Sequence, residues 1–257
     1  MPPVRHYAAV SLDLWSTCLL EPPGEDDRLR IARVNYLRQS LAAPDGTPVD
    51  TSRIEHALRT VHATLRAQGT DPIEVDPRVL VEAYAKALGT TPTRSFIDLG
   101  GGYSAVGFAE SPPAVNPEAE ALVATLERRR VPVITITNTA CREESWQAFF
   151  GTRNGLRFRH IVTSCEVGRA KPHPTIFHEG GARRLGPDPG EILHIGDRWD
   201  LDGQGALDAG FGAILYVGQW DSHSEEGYPH ANLEEVARAG VPCIRRLDDP
   251  RLVDLLA

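Results

Sequence analysis

Lysine is almost absent from this chain: of 27 basic residues only Lys86 and Lys171 are lysines, and the other 25 are arginines. Positive charge is in deficit as well, since 35 acidic residues leave a net charge of -8. That balance opposes attraction to phosphate backbones and anionic bilayers, so neither nucleic acid nor membrane is expected as a partner. Cysteine is sparse. Cys18, Cys141, Cys165 and Cys243 lie far apart with no CxxC or Cys/His spacing, which argues against a zinc site and a disulfide framework. Long apolar runs are missing too. The first one, near residue 10, is interrupted by Asp13 and is too short for a signal peptide core or a membrane span. A soluble protein of a reducing cytoplasm is expected.

With 257 residues, 41% of them hydrophobic, the chain can bury a sizeable core as one large domain or a domain with an insertion. Short apolar runs bounded by turn residues recur as VSLDL (10–14), VPVITIT (131–137), HIVTS (160–164), EILHIGD (191–197), GAILYVG (212–218) and VPCIRRL (241–247). Helix-like segments at 117–130, 174–186 and 203–210 separate them. Strands that are apolar throughout and alternate with helices predict a doubly wound, parallel α/β sheet covered on both faces. After about residue 219 a last helix and strand are expected to complete that core.

A different texture fills the space after the first strand. Residues 26–42, 51–68 and 76–89 place apolar side chains at three- and four-residue intervals, the pattern of amphipathic helices. An all-helical insertion is predicted, bounded by EPPGEDD (21–27) and ESPPAVNP (110–117). Within it, SFIDLGGGYSAVG (95–107) runs from strand-like residues into a glycine cluster. A phosphate-cradling turn would need a helix directly after the glycines. The sequence shows no such helix before Pro112-Pro113, so the stretch is read as a hinge or substrate-facing loop.

Asp13 raises the functional question. A core strand has no use for an unpaired carboxylate, and ligand crevices of open α/β sheets lie beyond the carboxyl ends of the strands. Other strand ends carry polar groups as well. Thr137-Asn138 follow the second run, Lys171 stands in SCEVGRAKP after the third, and Asp197, Asp200 and Asp202 cluster in GDRWDLD after the fourth. Carboxylates from two strand ends with one ammonium make a site for an oxyanion beside a hard divalent cation such as Mg²⁺. In a chain that uses arginine nearly everywhere, a retained lysine is informative, because a compact ammonium and a planar guanidinium are not interchangeable.

LDLWST (12–17), ITN (136–138), SCEVGRAKP (164–172) and IGDRWDLDGQGALDAG (195–210) together resemble the four motifs of the haloacid dehalogenase-like (HAD) hydrolase superfamily. The form resembled is the one with a helical cap after the first strand (the C1 subgroup). The resemblance implies a Rossmann-like core from 1–20 and 112–257 and a helical cap from 21–111. It implies Asp13 as the nucleophile, forming an aspartyl intermediate, with Thr137 and Lys171 as catalytic partners and Thr17 and Asn138 as substrate-binding candidates. Mg²⁺ would be held by Asp13, Asp197, Asp202 and the backbone carbonyl of Trp15, with Asp200 either orienting that shell or solvated.

The first motif departs from the phosphatase pattern. Where those enzymes carry a second aspartate as general acid and base, this chain has Trp15, whose indole can do neither. Three functions therefore stand: Mg²⁺-dependent hydrolysis of a small phosphorylated metabolite, carbon-halogen hydrolysis by the same nucleophile, and a weakly catalytic protein binding a phosphorylated ligand. Asp197 opposes the second, since metal-independent dehalogenases carry a neutral residue there; Arg33 and Arg38 as anion cradles would favour it. His56 or His62 could supply an acid or base from the cap, and Lys86 is the sole cap lysine. A monomer or a homodimer fits equally.

Overall fold

The computed structural model describes residues 6–20, 25–110, 112–152, 156–218 and 233–255. Strand β1 (Ala9–Leu12) leads into β2 (Leu19–Leu20). A helical layer follows: α1 (Glu25–Ser40), β3 (Leu41–Ala42), α2 (Thr51–Ala67), α3 (Pro77–Leu88), β4 (Thr91–Pro92) and α4 (Phe96–Glu110). The chain returns through β5 (Ala114–Val115), which pairs antiparallel with β2 and closes the stem of the excursion. Then come α5 (Pro117–Arg128), β6 (Val133–Thr137), α6 (Glu143–Gly151), β7 (Ile161–Thr163) and α7 (Ser164–Val167). A π-helical turn at Ile176–Ala182 runs into α8 (Arg183–Leu185), followed by β8 (Ile192–Gly196), α9 (Gln204–Asp208), β9 (Gly212–Tyr216), α10 (Leu233–Arg238), β10 (Cys243–Ile244) and α11 (Pro250–Asp254).

Six strands form one sheet in the order β10-β9-β8-β1-β6-β7, every neighbouring pair parallel. This is the doubly wound architecture that the alternating pattern predicts. The strands are apolar on both faces because both are covered. Val10, Leu12 and Ile195 pack with Leu122 and Trp146 on one side, while Ala9, Ile134 and Ile136 pack with Phe177 and Phe211 on the other. β1 sits in the middle, between β8 and β6, so whatever follows Leu12 emerges at the centre of the strand ends.

The helical layer has a core of its own, in which Val34, Leu37, Ile54, Leu80, Tyr84, Leu99 and Tyr103 are all buried. Its helix starts are capped as their sequences dictate: Asp50 accepts from the Ser52 amide at 2.8 Å, and Asp76 from the Arg78 amide at 2.9 Å with Pro77 at the first helical position. Such caps satisfy amides that have no partner within the helix.

The glycine cluster corrects the sequence reading. Residues 96–110 are helix α4, not a loop. Glycine lowers helix propensity, but here packing overrides it, because α4 lies against its neighbours more closely than a side chain allows. A Cβ on Gly100 would fall 2.6 Å from the Arg78 Cα, and one on Gly107 would fall 2.1 Å from Leu29 Cδ1. The expected last helix and strand appear as α10 and β10, although 219–232 lie outside the described residues, as do 21–24 and 111 of the expected linkers. No described helix is long and apolar enough to cross a membrane.

Gly101 has open space where its Cβ would be, unlike Gly100. Thermal melts of the two alanine variants should therefore diverge. Gly101→Ala is expected to stabilise by about 0.5–1 kcal/mol through helix propensity and chain entropy, whereas Gly100→Ala should cost about 1–3 kcal/mol through overpacking.

Candidate active site

The strand ends converge as the crevice rule requires. The Asp13 amide still donates to the Ile195 carbonyl at 2.9 Å, so the β1–β8 ladder fixes its backbone one residue past the strand. Beyond it the chain turns sharply: Ser16 has a left-handed φ of 55°, uncommon for a residue with a Cβ. The amides of Cys18 and Leu19 both return to the Leu14 carbonyl.

Lys171 is the link between the elements. Its Nζ lies 2.5 Å from Asp13 Oδ1 and 2.5 Å from Asp202 Oδ1, and the exposure of Asp13, Lys171, Asp197 and Asp202 is 6%, 4%, 3% and 1%. Both ends of the Asn138 amide clamp the Lys171 peptide: Nδ2 donates to its carbonyl at 2.9 Å and Oδ1 accepts from its amide at 2.7 Å. Asp202 is fully engaged. Oδ1 also meets His194 Nε2 at 3.1 Å, and Oδ2 accepts from the Arg198 amide at 2.9 Å. His194 in turn reaches Ser11 Oγ through Nδ1 at 2.8 Å, giving a buried polar chain from β1 through β8 to the ammonium.

Burial drives the electrostatics. It pushes Asp13 up to about 7 against the pull of Lys171, with Asp202 adding repulsion. Asp197 is raised well above the carboxylate range by burial and then by repulsion from Asp13 and Asp202. Burial also acts to raise Asp202, but Lys171 and His194 outweigh it and hold this carboxyl below its usual range. Burial lowers His194, keeping the imidazole neutral. Three carboxylates thus share one ammonium.

A cavity of about 340 Å³ opens over this cluster. Asp13, Trp15, Asn138, Lys171, Asp197, Asp202 and Arg198 form its floor, while Leu29, Arg33, Ser104, Gly107 and Phe108 line it from the helical layer. Thr137 and Thr17 do not line it. Both are fully buried, Thr17 Oγ1 lying 3.4 Å from Asp197 Oδ1. Asp200 pairs with the Arg198 guanidinium at 2.9 and 2.7 Å. His62 is bonded to the Tyr84 hydroxyl at 2.7 Å, His56 lines a separate hollow beside α2, and Lys86 and Arg38 are exposed; none of the four lines the cavity.

The Trp15 ring is built into a wall. It packs edge-on against Trp146 at 5.4 Å, and Trp146 meets Phe108 of α4 at 4.5 Å. Polar contacts dock the same helical layer onto the loops around Lys171. Arg142 pairs with Asp76 and, at 3.0 Å, with Glu166; Ser164 Oγ donates to the Ile73 carbonyl at 2.7 Å; the Ala170 amide donates to Glu74 at 2.7 Å. His194 was not singled out by the sequence reading. Its signal was there, a lone histidine inside the apolar run EILHIGD.

The residues fit a hard divalent cation. Asp13, Asp197 and Asp202 each bring an oxygen within 4.8 Å of the others, an all-oxygen set of the kind Mg²⁺ takes.

A model of the haloacid dehalogenase-like hydrolase family matches residues 45–210, well over half the chain. The chain belongs to that family. The match takes in the second, third and fourth motifs and leaves Asp13 outside. A glyceraldehyde 3-phosphate phosphatase of Methanopyrus kandleri is 51% identical over 53 residues, 21% of this chain and 22% of that relative, so the likeness spans about a fifth of either protein. Among solved structures, a 2-haloacid dehalogenase from Pseudomonas syringae pv. tomato aligns over 96% of each chain at TM-score 0.58 and 21% identity. A HAD phosphatase from Thermococcus onnurineus aligns over 95% of this chain and 96% of its own at TM-score 0.56 and 18% identity. These two likenesses show the fold alone.

Since one ammonium balances three buried carboxylates, its removal and theirs should act in opposite directions. Lys171→Met is expected to cost about 3–5 kcal/mol by leaving buried charge unpaired. Asp13→Asn, which relieves repulsion on Asp197, should raise the melting temperature of the metal-free protein.

Proposed function

We propose that this HAD-family hydrolase is a Mg²⁺-dependent phosphohydrolase acting on a small phosphorylated metabolite, with residues 21–111 as its cap and 1–20 with 112–257 as its core. The observation that carries the reading is the position of Asp13, fixed by the sheet and held by Lys171 at the floor of a cavity lined by three carboxylates. In this reading an Asp13 carboxylate oxygen attacks phosphorus, the bond to the leaving oxygen breaks, and an aspartyl-phosphate forms. Water then attacks that phosphorus, releasing inorganic phosphate and restoring the carboxylate. Lys171 holds the nucleophile in place and neutralises charge that grows on the transferring group. Asn138 holds the Lys171 peptide, so its contribution is positional rather than a contact with substrate. Of the two buried hydroxyls, Thr17 donates to Asp197 at 3.4 Å, while Thr137 Oγ1 has no partner among the described residues.

Asp13, Asp197 and the Trp15 carbonyl would hold the metal. Asp202, whose two oxygens already accept from Lys171, His194 and the Arg198 amide, orients the ammonium and completes the shell from outside. The cation would supply positive charge beside the phosphoryl oxygens. Trp15 stands at the position of the usual general acid, and among the described residues no histidine or glutamate lines the cavity to replace it. Leaving oxygens must therefore depart unprotonated, which favours acyl and aryl phosphates over alkyl ones. The apolar wall of Trp15, Leu29 and Phe108 and the Arg33 guanidinium are the features that favour carbon-halogen hydrolysis instead; the buried Asp197 opposes it.

Phosphate release from acyl, aryl and alkyl phosphates, with and without Mg²⁺, tests the reading. Metal-dependent release that Asp13→Asn abolishes is expected, with alkyl esters slower by about 10²–10⁴ for want of an acid. Release of halide from 2-haloacids without metal would overturn it.

The raised carboxyls make a second check. Asp13 sits near 7 in the folded chain against 3.8 as its ordinary value. The metal-free fold is therefore favoured at low pH from this group and loses that contribution as pH rises through about 7. Mg²⁺ opposes the loss by pairing the ionised forms. Its stabilisation, read as a melting-temperature gain, should be larger at about pH 8 than at about pH 5.5.

A further inference from the structure

The cations of the cavity are not treated alike. Lys171 is neutralised by Asp13 and Asp202, and Arg198 by a two-point contact with Asp200. Arg33, reaching in from α1, has no carboxylate within 4.0 Å among the described residues. Its Nη2 lies 3.8 Å from Cys141 Sγ, its guanidinium stands 5.2 Å from the centre of the Tyr103 ring, and its buried Nε has no acceptor. Leu29, Phe108 and Ile73, which also line the cavity, are apolar. A partly buried guanidinium with an idle donor and no counter-charge is costly to keep, and a thiol and an aromatic face compensate only weakly. The missing partner is an anion, and Arg33 lines the cavity, from which it can receive one.

We propose that Arg33 receives a second anionic group of the substrate, so that the enzyme's substrates carry a carboxylate or a further phosphate besides the phosphate that Asp13 takes. This rests on the phosphohydrolase reading for the role of Asp13, and on Arg33's own surroundings for the rest. The guanidinium fork matches planar carboxylate and tetrahedral phosphate alike by two-point hydrogen bonding. Arg33 would thus determine specificity from the helical layer while the floor performs chemistry, and substrates with an uncharged distal end would lose binding.

Three aryl phosphates share a good leaving group and differ at the far end: phenyl phosphate, para-carboxyphenyl phosphate and para-phenylene bisphosphate. With the Mg²⁺-loaded protein, kcat/KM is expected to be roughly 10-fold to 100-fold higher for one or both anionic esters than for phenyl phosphate. Arg33→Gln should collapse that ratio through KM, and Arg33→Lys should restore part of it. The carboxylate arm and the bisphosphate arm tell which anion is preferred. An unchanged ratio in a folded Arg33→Gln variant would overturn the assignment while leaving the phosphohydrolase reading intact. If no ester is hydrolysed, that reading fails, and calorimetric titration with para-carboxyphenyl phosphate decides the Arg33 assignment. Tighter binding by the unsubstituted protein than by Arg33→Gln upholds it, and equal or absent binding overturns it.

Discussion

The buried ammonium of Lys171, bridging Asp13 and Asp202, is the interaction on which the site depends. Three carboxylates cannot be gathered away from water without positive charge among them, because the desolvation penalty of each ion is several kcal/mol. Lys171 meets part of that demand and does so by joining three separate parts of the fold: the end of β1, the loop after β7 and the turn after β8. Asn138 at the end of β6 fixes its backbone. Each of these strand ends is therefore tied to this one residue, through its ammonium or its peptide group. The charge that remains uncompensated shows in the upward displacement of Asp13 and Asp197 by burial, and on the proposed reading a divalent cation would balance it.

Trp15 becomes intelligible from packing rather than from chemistry. Its ring contacts Trp146, which contacts Phe108 on α4, and tilted or edge-on aromatic pairs of this kind contribute about 0.5–1.5 kcal/mol beyond the area they bury. A residue two places after the proposed nucleophile is thus a strut between the sheet and the helical layer. An aspartate there would face apolar rings, where an ionised carboxylate is poorly accommodated. On the proposed reading the absence of a general acid and the presence of this packing contact would be two consequences of the same side chain.

The strand pattern and the polar punctuation of strand ends were legible because both depend on local sequence: a strand buried on two faces must be apolar, and a carboxylate at its end stands out. What was not legible depended on depth and direction. Thr137 and Thr17 lie beside the cavity in sequence terms, yet their side chains are fully buried beneath it. Helix α4 was hidden because its glycines serve contacts with Arg78 and Leu29, partners far away in the chain, so local propensity pointed to a loop. Of this stretch, Ser104, Gly107 and Phe108 line the cavity. His194 illustrates the converse. It breaks an apolar run as visibly as Asp13 does, but only the fold reveals that it connects Ser11 to Asp202.

The scarcity of lysine sharpens the division of labour between the two basic residues at the site. A lysine ammonium is compact enough to deliver a point charge to two carboxylates at 2.5 Å; a guanidinium in the same place would present a broad planar fork. Arg33 is the reverse case, a wide donor set on the opposite wall whose requirements the protein does not meet. One cation is internally neutralised at the floor of the cavity. The other, which is proposed to meet a ligand, hangs from the helical layer. On the proposed reading chemistry and selection would be encoded in separate segments, so that a change of the anion received by the helical layer would not disturb the charge balance around Asp13.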